Sequence, residues 1–167
     1  MNDVVRVVAE WTFILKDAKT GKIRQVVKRK NVITDAGLNY FAQAYGNLFG
    51  QNGNRYNWCM MLGTGMGTPS GTDTQLFQGD PTTAKKGIIT VTDNTVEFKV
   101  RYQANEANEQ TWTEAGIYDG IAKWVDFDPT VDYTLGNLIS HVLIYPAITK
   151  DSSNALDVYV RITFERG

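Results

Sequence analysis

Hydrophobic and polar residues alternate along most of this chain. Between residues 4 and 16, Val5, Val7, Ala9, Trp11, Phe13 and Leu15 share one face, while Arg6, Glu10, Thr12 and Lys16 share the other. A period of two marks a strand with one dry face and one wet face. The stretch DAKTGK then supplies a turn, and IRQVVKRKNV resumes as the second strand of a hairpin. The same pattern returns over 94–104, with Val96, Phe98, Val100 and Tyr102 inward. It is clearest over 155–165, where Leu156, Val158, Val160, Ile162 and Phe164 oppose Asp157, Tyr159, Arg161, Thr163 and Glu165. Further strands are expected around WCMML and near 87–92, 110–118, 121–127 and 138–145. Half-wet strands favour antiparallel pairing, so the expected fold is all-β with one main helix, an antiparallel β-sandwich of about eight strands.

The helix is the one segment with the other period. Thr34 can cap a helix over 35–45, in which Leu38, Phe41, Ala42 and Tyr45 recur at helical spacing, and Gly46 is a plausible stop. Two long polar connections, 46–57 and 68–86, flank WCMML. Within the second, Thr72 is expected to cap one turn of helix, DTQLF, with Leu76 and Phe77 plugging one end of the core. No repeat, low-complexity tract or linker divides the chain, so residues 1–167 read as a single domain.

Composition narrows the function. The 167 residues are 43% hydrophobic and 21% charged, with a net charge of −1. Nucleic-acid binding leaves a basic footprint, so no nucleic-acid partner is expected. The densest basic run, Lys28–Lys30, reads as a solvated strand end or as protection of a sheet edge. Cys59 is the only cysteine. It permits no internal disulfide and no thiolate metal site, and in an apolar run it acts as a small buried hydrophobe. MNDVVRVVAEW lacks the layout of a secretory signal, and no apolar run approaches the ~20 residues of a membrane helix. The chain is therefore expected to be made in a cytoplasm, with no membrane partner.

Candidate chemistry is sparse. LGTGMGTPS (62–70) places glycines at 63, 65 and 67, like a phosphate-cradling loop. Yet Thr68 stands where the dinucleotide fingerprint needs its last glycine, Pro69 follows at once, and no Gly-Lys-Ser/Thr completes a Walker loop. The glycines are expected to supply positive φ and close backbone approach at a strand exit. His141, the only histidine, has no second histidine or cysteine pair to build a triad or zinc site with, and reads as a packed or interfacial residue. Glu114 and the run Asp126–Asp132 are the carboxylates a glycosidase could use, but spacing alone does not bring them together. The run DFDPTVD has oxygen side chains at alternate positions, as calcium loops do. Val131, however, occupies the obligatory glycine position and no glutamate closes the loop, so a turn is expected and no metal. Eight tyrosines and four tryptophans could stack on sugars. Trp11 and Tyr102 fall on inward positions, while Trp58, Trp112 and Trp124 are not placed by the pattern. No catalytic, cofactor-binding or metal-binding residue is expected. The alternative is a carbohydrate-binding module or a small glycan-directed receptor-binding protein, with a surface glycan as partner.

Four stretches in fixed order carry a resemblance: NVITDAGLNYFAQ (31–43), MLGTGMGTPSGTDTQL (61–76), TWTEAGIYDG (111–120) and LISHVLIYPAITKDSSNALDVYVRITF (138–164). Together the chain resembles a recurring type of small structural protein from tailed-bacteriophage virions, of tail-fibre, tail-tip or head-decoration kind. The resemblance implies a β-sandwich building block in a symmetric assembly, without catalytic residues. On it, Gly63, Gly65, Pro69 and Asp73 shape a loop, and Glu114 to Gly116 fixes a strand edge. It also implies a non-enzymatic virion component assembled in the host cytoplasm. A homo-oligomer, a trimer by preference, is expected, held by the first strand and the two long connections, together with other virion proteins.

Overall fold

The computed structural model describes residues 5–48, 57–120 and 135–166. The strand expected at 121–127, the acidic run Asp126–Asp132 and Trp124 lie outside them, as does most of the 46–57 connection. Among the described residues ten strands form two antiparallel five-stranded sheets. The first sheet contains β1 (Val5–Asp17), β2 (Ile23–Lys30), β6 (Ile88–Thr92), β7 (Thr95–Tyr102) and β10 (Asn154–Arg166), in the order β2-β1-β10-β7-β6. The second contains β3 (Val32–Ile33), β4 (Asn57–Gly63), β5 (Lys85–Lys86), β8 (Gln110–Gly120) and β9 (Leu135–Lys150), in the order β3-β9-β8-β4-β5. The all-β sandwich read from the sequence is therefore the observed fold. The strand count rises above eight because β3 and β5 are two-residue pairings that no periodicity can signal.

The core lies between the sheets. Trp11, Phe13, Phe98, Tyr102, Val158 and Val160 enter from one side and Met60, Leu62, Trp112, Ile117, Ile139 and Ile144 from the other, all buried. The long ladder between β1 and β10 runs from Val5↔Arg166 to Asp17↔Asn154 without a shift. It thereby keeps every alternate residue of both strands on the same face. Val5 is the exception to the inward reading. At the start of the strand, it is 68% exposed.

Every described side chain of β4 is buried, from Trp58 to Leu62. A half-wet strand would alternate; this one does not, because the chain after it folds back over the outer face of its own sheet. Cys59, Met61, Leu76, Ala84, Tyr118 and Leu138 form a second small core there. Leu76 is buried, but in this outer core and not at one end of the main one, and its burial stabilises the loop by about 2 kcal/mol. Phe77 stays 45% exposed. The helical turn expected at DTQLF is absent. A 3-10 turn forms instead at Pro81–Thr83, where the Asp80 side chain caps the N–H of Thr82 and proline occupies the first turn.

The helix α1 spans Asp35–Leu48, so Gly46 does not stop it. Thr34 caps it as expected: its hydroxyl oxygen accepts from Gly37 N–H at 3.0 Å. The docked face differs from the expected stripe. Leu38 is 46% exposed, while Gly37 lies against the Ile139 carbonyl, where a Cβ would collide with it. Tyr40 and Phe41 pack on the main core. Backbone proximity at Gly37 rotates the helix so that 37, 40 and 41 face the sheet. The strand expected to stop at Tyr145 runs on to Lys150. Pro146 costs no ladder bond, because β9 is out of register with β8 between Leu143↔Glu114 and Ile148↔Trp112.

Candidate functional site

The outer face of β8 carries Glu114, Gly116 and Tyr118, and the chain from 63 to 80 is stitched to it. Glu114 is fully buried and accepts from four donors. Its Oε1 takes the N–H groups of Gly65 at 3.0 Å and Gln78 at 2.6 Å. Its Oε2 takes Phe77 N–H at 3.0 Å and His141 Nε2 at 2.9 Å. Burial by itself would raise the carboxyl, but the His141 bond and the three backbone donors outweigh it and hold Glu114 below its ordinary range. His141, adjacent on β9 and fully buried, bonds Asp73 Oδ2 through Nδ1 at 2.6 Å. Burial opposes its charge, yet the two carboxylates raise its pKa above the ordinary value. Both ring nitrogens thus face carboxylate oxygens, of Asp73 and Glu114, an arrangement that favours the imidazolium, and Phe77 packs against the ring at 4.7 Å between centroids.

The clamp reaches the rest of the loop through short bonds. Asp73 accepts from Ser70 N–H at 2.8 Å, Tyr118 Oη accepts from Leu76 N–H at 3.0 Å, and Thr113 donates to the Gly65 carbonyl at 2.7 Å. On the far side, Asp35 N–H meets the Gly71 carbonyl at 2.7 Å, so the helix start is tied to the same loop. All four stretches singled out in the sequence therefore meet around residues 138–141 of β9. The last of them also supplies Lys150, buried at the strand end, whose ammonium donates to Asn108 Oδ1 at 2.6 Å and holds the 104–109 turn. Burial depresses its pKa.

Chemically, the arrangement is closed. A carboxylate stands at each end of the Asp73–His141–Glu114 chain, so neither ring nitrogen is open to take a proton from a hydroxyl or thiol as a triad requires. Both Glu114 oxygens are filled by internal donors. The geometry instead orders a long loop whose polar backbone would otherwise need water. Within the connection 68–86, the chain's own Glu114, Tyr118 and His141 hold residues 73, 76, 77 and 78.

The glycines at 63, 65 and 67 work by close approach and not by positive φ: Gly21 is the only described glycine in the left-handed region. A Cβ on Gly65 would strike Glu114 Oε1 and lie 2.5 Å from Phe77 Cβ and 2.8 Å from Gln78 N; one on Gly63 would lie 2.6 Å from the Gln78 carbonyl oxygen. Gly116 keeps the same space open for Leu76, whose methyl would be 2.8 Å from its Cβ. Gly65→Ala is accordingly expected to cost about 1–3 kcal/mol, because main-chain atoms must move. Gly21→Ala, with open space but a positive φ, should cost about 1 kcal/mol. Urea unfolding of the two variants checks the order, and equal losses would contradict it.

The remaining candidates are dispersed. Cys59 is buried, and desolvation pushes its thiol up to about 12. Trp11, Trp58 and Trp112 are all buried, leaving no described tryptophan for a sugar platform. Lys28–Lys30 end the edge strand β2. Arg29 lies over the Tyr145 ring at 5.7 Å, beside a recess of about 410 Å³ lined also by Lys30, Asn31, Thr68 and Leu143. Sequence reasoning missed Asp73 as the partner of His141, since the two are 68 residues apart. It also missed that Glu114 and the glycine loop form one unit. Among the described residues no helix is long and apolar enough to cross a membrane. No family model, curated protein or solved structure matches the chain.

Proposed function

We propose that this chain is a non-enzymatic building block of a tailed-bacteriophage virion, a tail-fibre, tail-tip or capsid-decoration component acting through protein–protein contacts. One observation carries the reading. The stretches behind the resemblance are those that build the Glu114–His141–Asp73 lock and its helix dock. A protein whose buried polar groups are spent on holding a surface loop in one shape presents a fixed surface, and fixed surfaces suit repeated assembly contacts. Its place of work is the particle, reached from the host cytoplasm, with further copies and other virion proteins as partners. The alternative, a glycan-directed binding module, draws on exposed Tyr145 and its Arg29 neighbour at the recess.

Mass spectrometry of purified particles, with antibody-labelled electron microscopy, tests the proposal. The protein is expected at a fixed copy number and at one location on every particle. Its absence from particles, together with glycan-array binding lost in Tyr145→Ala, would transfer the assignment to the alternative.

A further inference from the structure

Sheet edges expose unpaired N–H and C=O groups, and soluble proteins defend them with shortness, charge or cover. Among the described residues, three of the four edges are defended. The second sheet ends on the two-residue strands β3 and β5. The first sheet ends on one side with β2, whose sequence IRQVVKRK carries four cations. Its other edge, β6, is IITVT: five residues, none charged, every one exposed. Ile88 is 70%, Ile89 36% and Val91 67% exposed. Ile89 and Val91 stand opposite Phe98 and Val96, on the face of the sheet that forms the core. An added strand would therefore extend both the ladder and the apolar layer beneath it.

We infer that β6 pairs antiparallel with β6 of a second copy of this chain, across a two-fold axis at Thr90, joining two five-stranded sheets into one. Backbone geometry fixes the register. The β6–β7 hairpin closes with Thr92↔Thr95. In a two-residue hairpin the closing pair exchanges hydrogen bonds, so Thr92, Thr90 and Ile88 point their N–H and C=O groups at β7. Those of Ile89 and Val91 point away. A two-fold at Thr90 sets Ile89 against the partner's Val91, so the outward-pointing groups meet and the apolar faces stay on one side. Charge supports the same direction. Lys86 precedes the strand and Asp93 follows it, while Lys85 is already paired with Glu106. Antiparallel pairing brings the lysine end of one copy to the aspartate end of the other, whereas parallel pairing would set like charges together. The basic strand β2 would repel its own copy in the same role. The inference deepens the assembly reading and rests on it only in that copies meet. A two-fold contact makes the dimer the elementary unit, in place of the trimer.

The test uses the full chain with single cysteines at β6, since Cys59 is buried and silent. Opposed residues of a non-hydrogen-bonded pair have Cα atoms about 4.5 Å apart, within disulfide reach. Under mild oxidation Thr90→Cys is expected to give a covalent dimer, and Thr92→Cys, whose copies lie far apart in this register, is not. Light scattering should give twice the chain mass for wild type. It should give the chain mass for Val91→Lys, with unchanged circular dichroism because Val91 is already exposed. A wild-type monomer or trimer, equal cross-linking of the two cysteine variants, or a dimer unaffected by Val91→Lys would overturn the pairing. A monomer whose Ile89 and Val91 amides exchange slowly would also overturn it, because another part of the chain would then cover the edge. Absence from virions with the dimer intact would overturn the functional proposal and leave this one standing.

Discussion

Glu114→Gln is expected to destabilise the fold by about 3–5 kcal/mol, the cost of breaking a buried ion pair from one side. The side chain keeps its shape, so no cavity forms and the loss is one of charge and hydrogen bonding. Each carboxylate oxygen serves two donors: Gly65 and Gln78 on Oε1, Phe77 and His141 on Oε2. Whichever way the amide is placed, its NH2 faces a buried pair of donors. One escape exists. His141 can lose its proton and accept at Nε2, but the charge-assisted bond is then gone and one backbone N–H stays unpaired, at about 1–3 kcal/mol. For a domain of this size the melting temperature should fall by on the order of 10 °C. Limited proteolysis should cut within 64–79 sooner than in wild type, since this is the segment the carboxylate holds. A loss below about 1 kcal/mol, in the range of ordinary surface substitutions, would mean that the lock does not hold the loop.

Stability should also depend on pH in a way that belongs to the same residues. The pKa of His141 is raised in the fold above its ordinary 6.5. Its contribution is therefore full below about 6.5 and is lost as pH rises through the raised folded value. The pKa of Glu114 is lowered from an ordinary 4.5. Its contribution is full above about 4.5 and is lost as pH falls through the depressed folded value. Asp157, covered by Lys16 and Arg101 on the outer face of the first sheet, adds to the acid side in the same sense: burial opposes its charge, but the two cations lower its pKa. The stability curve should thus crest between about pH 4.5 and 6.5 and decline on the alkaline side. In His141→Asn the alkaline decline should vanish and the acid limb should shrink to the share held by the backbone donors of Glu114 and by Asp157, and at pH 6 the variant should be less stable than wild type. Denaturant midpoints between pH 3 and 9 measure both limbs. A displaced histidine titration converts at about 1.4 kcal/mol per pH unit. Parallel curves for the two proteins above pH 6 would contradict a charged His141.

Local pattern made much of this legible. Strands β1, β7 and β10 alternate so regularly that their buried faces follow from a period of two, and long unshifted ladders preserve that face. Thr34 announced the helix start because a cap is a property of four consecutive residues. Thr72 misled for the same reason: its sequence suits a cap, but the segment is claimed by tertiary bonds from Glu114 and Tyr118. Leu38 misled because an exposed apolar residue at helical spacing looks the same as a docked one.

The sequence by itself determined the fold class of the protein: alternation with few helical signals gives an antiparallel sandwich. Close approach was visible only as glycine, which reads alike for positive φ and for a neighbour pressing on Cα. Tertiary structure decided which meaning applied at Gly65, because the obstructing atoms come from Phe77, Gln78 and Glu114. It also decided that Asp73, Glu114 and His141 form one unit, and that β6 is the undefended edge among the described residues. The physical reason is range. Propensity, capping and periodicity act between residues a few positions apart and are written in consecutive letters. A buried ion pair or a sheet edge depends on which distant segments become neighbours, and that follows from the packing of the whole chain.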